Sequence, residues 1–160
     1  MPFSAGPSGK PKLRPTTPGT GNFHFNLSHS GEVVLIAVTR AGEIGVDIEY
    51  VKKDFPIHEV AEKFFTPKEV AALETLPEHF ATQGFFKCWT SKEAFLKAKD
   101  IGLLGKLDEM EIILAGGQCM RIKANIPGWS LAELNVCDGY EAALLSEGEP
   151  GRIHLYRWKP

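Results

Sequence analysis

At 160 residues the chain has the length of one ordinary domain, and its 43% hydrophobic content suffices for a core. A formal net charge of −2 and a pI near 6.2 give no bulk electrostatic case for nucleic acid or an anionic membrane as partner. No apolar run approaches the roughly eighteen residues of a membrane span, and the start MPFSAGPSGKPKLRP lacks the apolar stretch of a secretory signal.

Residues 1–22 are rich in Gly, Pro, Ser and Thr, with prolines at Pro2, Pro7, Pro11, Pro15 and Pro18. Such a segment buries little and is expected to be extended or mobile unless something docks it, with the folded domain proper over 23–160. Phe25-Asn26-Leu27-Ser28-His29-Ser30-Gly31 reads as a short, polar, turn-like stretch. Val33 to Val38 is an almost unbroken, β-branched apolar run, and Ile44 to Tyr50 is a second. Arg40-Ala41-Gly42-Glu43 between them predicts a hairpin turn. Ile57, Val60, Ala61, Phe64 and Phe65 then recur at helical spacing. Thr66-Pro67-Lys68-Glu69 predicts a helix start, with Thr66 as N-cap, Pro67 in the first turn and Glu69 closing a capping box. Glu78 to Lys99 is the longest helix candidate, with Gly84 its weak point.

Five strands are expected after that: Met110 to Leu114, Met120 to Lys123, Leu131 to Val136, Glu141 to Leu145 and Ile153 to Trp158. Gly116-Gly117, Pro127-Gly128, Asp138-Gly139 and Pro150-Gly151 punctuate them. The order β–β–α–α–α–β-meander predicts an α+β domain, an antiparallel sheet with helices packed on one face. Cys88, Cys119 and Cys137 are odd in number and far apart, which speaks against a zinc site or a disulfide framework and for a reduced, cytoplasmic protein.

Three segments could carry chemistry. In Gly45-Val46-Asp47-Ile48-Glu49, strand alternation puts Asp47 and Glu49 on one face. Their repulsion would be relieved by a hard divalent cation with oxygen ligands, Mg²⁺ with phosphate being the usual combination. A strand with one solvated acidic face fits the same pattern. In the stretch from Phe86 to Lys97, Trp89, Glu93 and Lys97 line one helical face. They are either an exposed ion pair or a metal ligand or base followed by a phosphate clamp. Ser28-His29-Ser30 offers hydroxyls and an imidazole to a phosphate, or serines that cap backbone groups.

Together and in this order, the segments resemble the Sfp-type 4′-phosphopantetheinyl transferases. The match runs through Gly9-Lys10-Pro11, Phe25 to Ser30, Gly45 to Glu49, Trp89-Thr90-Ser91-Lys92-Glu93-Ala94 and Lys97-Ala98. Phe64 to Glu69 looks like the family's linking helix region. The resemblance covers roughly Gly9 to Leu103. It implies Mg²⁺-dependent transfer of 4′-phosphopantetheine from coenzyme A to a serine of an acyl or peptidyl carrier protein, releasing 3′,5′-ADP. Asp47, Glu49 and Glu93 would bind the metal, with Glu93 also the base for the carrier serine. Lys97 would contact the pyrophosphate and stabilise the departing nucleotide. Ser28 and His29 would hold the 3′-phosphate, and the Gly9-Lys10-Pro11 backbone would lie by the adenine.

Family members of this type carry two similar halves, and the resemblance places this chain at the second. A homo-oligomer or a separate N-terminal half would then complete the coenzyme site, through an exposed face including Phe23, Phe25, Val34 and Ile36. The Pro-rich start could instead fold back over that face. The alternative to an enzyme is a truncated, non-catalytic half that binds coenzyme A or a carrier protein. Asp100 stands where many relatives carry glycine, and Asp tolerates the left-handed conformation that can end a helix.

Overall fold

The structure is a computed structural model that describes residues 3–14, 22–102, 109–115, 121–149 and 151–158. Its first strands are β1 (Phe3–Ala5), β2 (Pro11–Leu13), β3 (His24–Ser30), β4 (Val33–Thr39) and β5 (Ile44–Tyr50). The helices α1 (Ile57–Phe64), α2 (Pro67–Glu74) and α3 (Glu78–Lys99) follow. The chain continues through β6 (Glu111–Ala115), β7 (Arg121–Asn125), β8 (Trp129–Leu134) and β9 (Tyr140–Glu147). The architecture is α+β with antiparallel pairing throughout.

At the centre lies a sheet in the order β5–β9–β8, with β5 and β9 paired from Ile44↔Ser146 to Tyr50↔Tyr140. One face of β5 carries Ile44, Val46 and Ile48 into a small core with Ala37, Leu134, Ala142 and Leu144. The opposite face of the sheet receives α3. Cys88 and Phe95 are wholly buried there and Leu96 nearly so, as their apolar spacing requires. The contact is backbone to backbone at Gly45, where an added Cβ would lie 2.0 Å from the Ala94 carbonyl oxygen and 2.4 Å from the Ala98 nitrogen. Glycine is therefore what lets the helix sit against the strand.

The capping box at α2 forms as expected: Glu69 N–H donates to Thr66 Oγ1 (3.3 Å) and Thr66 N–H to Glu69 Oε2 (2.9 Å). Asp100 ends α3 in the left-handed conformation, φ 55° and ψ 42°.

Four expectations are corrected. The turn-like stretch is the strand β3, paired with β4 from His24↔Thr39 to Ser30↔Val33. β4 and β5 do not form a hairpin, because β5, buried on both faces, takes its ladder from β9. The terminal meander divides into a β6–β7 pair and the β8–β9 edge of the central sheet. Residues 153–158 form no strand: they run beside β4 and β8 without pairing to either, and Tyr156 and Trp158 are 89% and 81% exposed. Met120, Cys119 and the Gly116-Gly117 turn lie outside the described residues, while Cys88 and Cys137 are free thiols.

The Pro-rich start is docked over 3–14. β1 and β2 form a hairpin, and Phe3 meets Phe25 edge-on at 5.9 Å. The outward row of β4 is left open, with Val34, Ile36 and Val38 at 65%, 61% and 60% exposure. No helix among the described residues is long and apolar enough to cross a membrane.

Candidate active site

β5 and α3 together build the carboxylate cluster that strand alternation implies. Asp47 is 3% exposed, and its Oδ1 accepts from Lys97 Nζ (2.6 Å) and Ser28 Oγ (2.8 Å). Its Oδ2 is buried with no hydrogen-bond partner. Burial raises the Asp47 pKa above the ordinary value, against the pull of Lys97 and Ser28 and with a further push from Glu49. Glu93 lies one turn before Lys97 on the same helical face, half-buried. Burial, then the Asp47 charge, push its pKa up to about 7, Lys97 opposing and Glu49 adding. A carboxylate with that pKa exchanges a proton near neutral pH.

The strand β3 is joined to β5 by side chains. Asn26, Ser28 and Ser30 alternate along it and face β5, so Val46 N–H donates to Asn26 Oδ1 (2.8 Å). Ile48 N–H likewise donates to Ser28 Oγ (3.3 Å), and Tyr50 N–H to Ser30 Oγ (3.0 Å). Ser30 Oγ in turn donates to Glu49 Oε2 (2.9 Å). Sequence reasoning grouped Ser28 with His29. The strand instead points Ser28 into the cluster and leaves His29 exposed, in register with Val34 on the outward side. Asn26 was missed as a site residue and Ser30 was read as a phosphate hydroxyl, not as a partner of β5; the polar period of two in Asn26-x-Ser28-x-Ser30 was the signal for both.

Further along α3, Lys87 Nζ lies 3.1 Å from Glu141 and 3.5 Å from Glu133, and Gln83 Nε2 donates to Glu141 Oε1 (2.8 Å). Glu141 is directly opposite Glu49 in the ladder, and Lys87 offsets that like-charge pairing.

Gly9-Lys10-Pro11 sits at the other end of the cluster. Gly9 turns the hairpin at φ +89°, and Lys10 is buried. The Lys10 ammonium donates to Glu43 Oε2 (2.7 Å), the Ile44 carbonyl (2.9 Å) and the Ala98 carbonyl (3.4 Å). Its charge is neutralised within the protein, so the tripeptide offers a ligand only its backbone. Beside it, Asp100 Oδ1 accepts from Ser8 N–H (3.2 Å) and Ser8 Oγ (2.6 Å), and Lys12 Nζ is 3.2 Å from Oδ2. Gly6 leaves that carboxylate its space, since a Cβ there would meet Asp100 Oδ2 at 1.7 Å.

Asp47, Glu49 and Glu93 supply oxygen donors alone, and the buried, unpartnered Oδ2 of Asp47 suits a hard cation. Among the described residues no three His, Cys, Asp or Glu side chains stand close enough together to hold a metal ion as they are placed. A cavity of about 450 Å³ lies on the other side of the central sheet, between Val46, Leu134 and Leu144 and the segment carrying Ile153 and Leu155. Its apolar walls and its distance from the carboxylates set it apart from the chemistry.

A family model described as the 4′-phosphopantetheinyl transferase superfamily matches residues 43–145, from the start of β5 into β9. The chain is 38% identical over 136 residues to the 4′-phosphopantetheinyl transferase HetI of Nostoc sp., covering 85% of this chain and 54% of that protein. It is 36% identical over 102 residues to the 4′-phosphopantetheinyl transferase Sfp of Bacillus subtilis (strain 168), covering 63% and 44% respectively. The chain thus spans about half the length of the curated relatives it matches. Among solved structures, the holo-[acyl-carrier-protein] synthase of Thermotoga maritima matches with a TM-score of 0.51 at 19% identity, over 68% of this chain and 64% of that one. That last similarity is one of fold.

Proposed function

Because the chain belongs to the 4′-phosphopantetheinyl transferase superfamily, we propose that it transfers 4′-phosphopantetheine from coenzyme A to a serine of a carrier protein. The observation that carries this reading is the meeting of Asp47, Glu93 and Lys97 across β5 and α3, with Lys97 Nζ 2.6 Å from Asp47. Asp47, Glu49 and Glu93 are the residues that would hold Mg²⁺, which when bound would neutralise charge on the pyrophosphate of coenzyme A.

The rest of the chemistry belongs to this chain's side chains. Glu93, directly or through a water, takes the proton of the carrier serine as its oxygen forms a bond to the phosphorus that bears pantetheine. The bond from that phosphorus to the bridging oxygen breaks, and 3′,5′-ADP leaves with the electron pair. Lys97 exchanges its contact with Asp47 for the pyrophosphate and stabilises that leaving charge. The Gly9-Lys10-Pro11 backbone, fixed by the buried Lys10, borders the adenine. Ser28 acts within the cluster. His29, exposed on the outward side of β3, is the group for the 3′-phosphate.

That outward side carries Val34, Ile36 and Val38, an apolar row suited to a second copy of the chain or a separate N-terminal half. Sedimentation at micromolar concentration is expected to show self-association. A 17.6 kDa species that still transfers would remove the oligomer.

The function itself is tested by intact mass. An apo acyl or peptidyl carrier protein incubated with this chain, coenzyme A and Mg²⁺ should gain one phosphopantetheinyl group, and chelation should stop the gain. Coenzyme binding without any mass gain would instead assign a non-catalytic binding role.

A further inference from the structure

We propose that Ser30, together with Ser28, is a positioning residue that fixes one oxygen of each β5 carboxylate and leaves the other for the cation. This rests on the reading of Asp47 and Glu49 as metal ligands. A serine hydroxyl has one hydrogen and two acceptor sites, and a backbone N–H can only donate. Ser30 Oγ accepts from Tyr50 N–H at 3.0 Å, which directs its hydrogen to Glu49 Oε2 at 2.9 Å. Ser28 Oγ accepts from Ile48 N–H at 3.3 Å and from the Lys97 ammonium at 2.9 Å, which directs its hydrogen to Asp47 Oδ1 at 2.8 Å. The same unit occurs twice, two residues apart on both strands: a hydroxyl bonded to a carboxylate and to the backbone N–H of the next residue.

Asn26 supplies the contrast. It faces β5 in the same row and accepts from Val46 N–H, but the residue before Val46 is Gly45, which has no carboxylate to orient. An acceptor suffices there. Where the preceding residue is Asp47 or Glu49, the strand carries a hydroxyl, which accepts from the backbone and donates to the acid. The consequence is visible at Asp47, whose Oδ1 is doubly held while Oδ2 is buried without a partner. A long Glu49 side chain left unrestrained would lose more rotamer freedom on capturing a cation, and the Ser30 bond removes part of that cost beforehand.

Ser30→Ala is the test, because Tyr50 N–H lies at an exposed edge where water can replace the hydroxyl. Ser30→Thr keeps a hydroxyl on a side chain that strands tolerate. Mn²⁺ binding to the full chain, read by loss of the free-ion electron paramagnetic resonance signal with coenzyme A present, should weaken about tenfold in Ser30→Ala. It should return to within about twofold of the unmodified protein in Ser30→Thr, as orientation through the retained hydroxyl requires. The Mg²⁺ concentration for half-maximal transfer should rise in parallel while kcat at saturating Mg²⁺ holds, and melting of the metal-free variant should be unchanged. Unaltered Mn²⁺ binding in Ser30→Ala, or equal weakening in Ser30→Thr, overturns the proposal. If the unmodified chain binds no Mn²⁺, the metal reading fails first and takes this inference with it.

Discussion

Lys92 and Glu93 are neighbours on α3, yet they serve two buried acidic sites of opposite character. On one side, Glu69 and Lys92 form an ion pair of 2.9 Å with side chains 0% and 2% exposed. Glu69 Oε2 also accepts from Thr66 N–H and Oε1 from Ile112 N–H, so the acid ties α2, α3 and β6 together with both oxygens occupied. On the other side, Asp47 keeps an unpartnered oxygen, and Glu93 is pushed up to about 7. A charge buried to hold the fold comes with all its partners. Charges buried to receive something are left short of them.

Breaking the satisfied site should have the largest effect. Lys92→Met leaves the Glu69 carboxylate buried without its cation and should cost about 3–5 kcal/mol in denaturant unfolding. The close approach that positions the other site comes next. Gly45→Ala forces α3 away from β5 at a contact of 2.0 Å, an overpacking expected to cost about 1–3 kcal/mol and most of the transfer activity. Asp47→Asn sharpens the comparison: it should abolish Mg²⁺-dependent transfer while shifting metal-free stability by less than about 1 kcal/mol, since it removes one of several repelling acids. If it unfolds the protein as severely as Lys92→Met, the two sites are of one kind. The smallest effect falls at the hairpin. Asp100→Gly still permits the left-handed helix end but frees Ser8 and leaves Lys12 only Glu43 at 3.9 Å, so amide exchange over 3–14 should quicken with little change in the melting midpoint.

Much of this was legible in the residues. The alternation of Asp47 and Glu49, the helical repeat of Glu93 and Lys97, and the Thr66 capping box are local patterns, and each sets its geometry through nearby backbone alone. The strand character of Phe25 to Ser30 was hidden because its polar row faces another strand by way of side chains, and polar alternation resembles a turn when no partner is known. The pairing of β5 with β9 joins residues about a hundred positions apart, and no local pattern encodes it. The run from Ile153 to Trp158 has strand-forming residues yet pairs with no strand, so propensity alone misled. Lys10 was placed beside the ligand by resemblance, and only the fold shows its ammonium turned inward to Glu43.

The contrast between the two acidic sites rests on Asp47 and Glu93 being held by burial, and then by their neighbouring carboxylates, in a state that disfavours their charge until a cation arrives, and thermal melting against pH tests that directly. Glu93 has its pKa raised from the ordinary 4.5 to about 7, so between those values the folded chain binds more protons than the unfolded one. Its stabilising contribution is complete below about pH 4.5 and is lost as the pH rises through about 7, and the raised pKa of Asp47 acts in the same direction. The melting midpoint of the metal-free protein should therefore fall between pH 5 and pH 8, less steeply in Glu93→Gln, and Mg²⁺ should restore it most at the alkaline end. A fall of equal slope in Glu93→Gln, untouched by Mg²⁺ at any pH, would contradict the account.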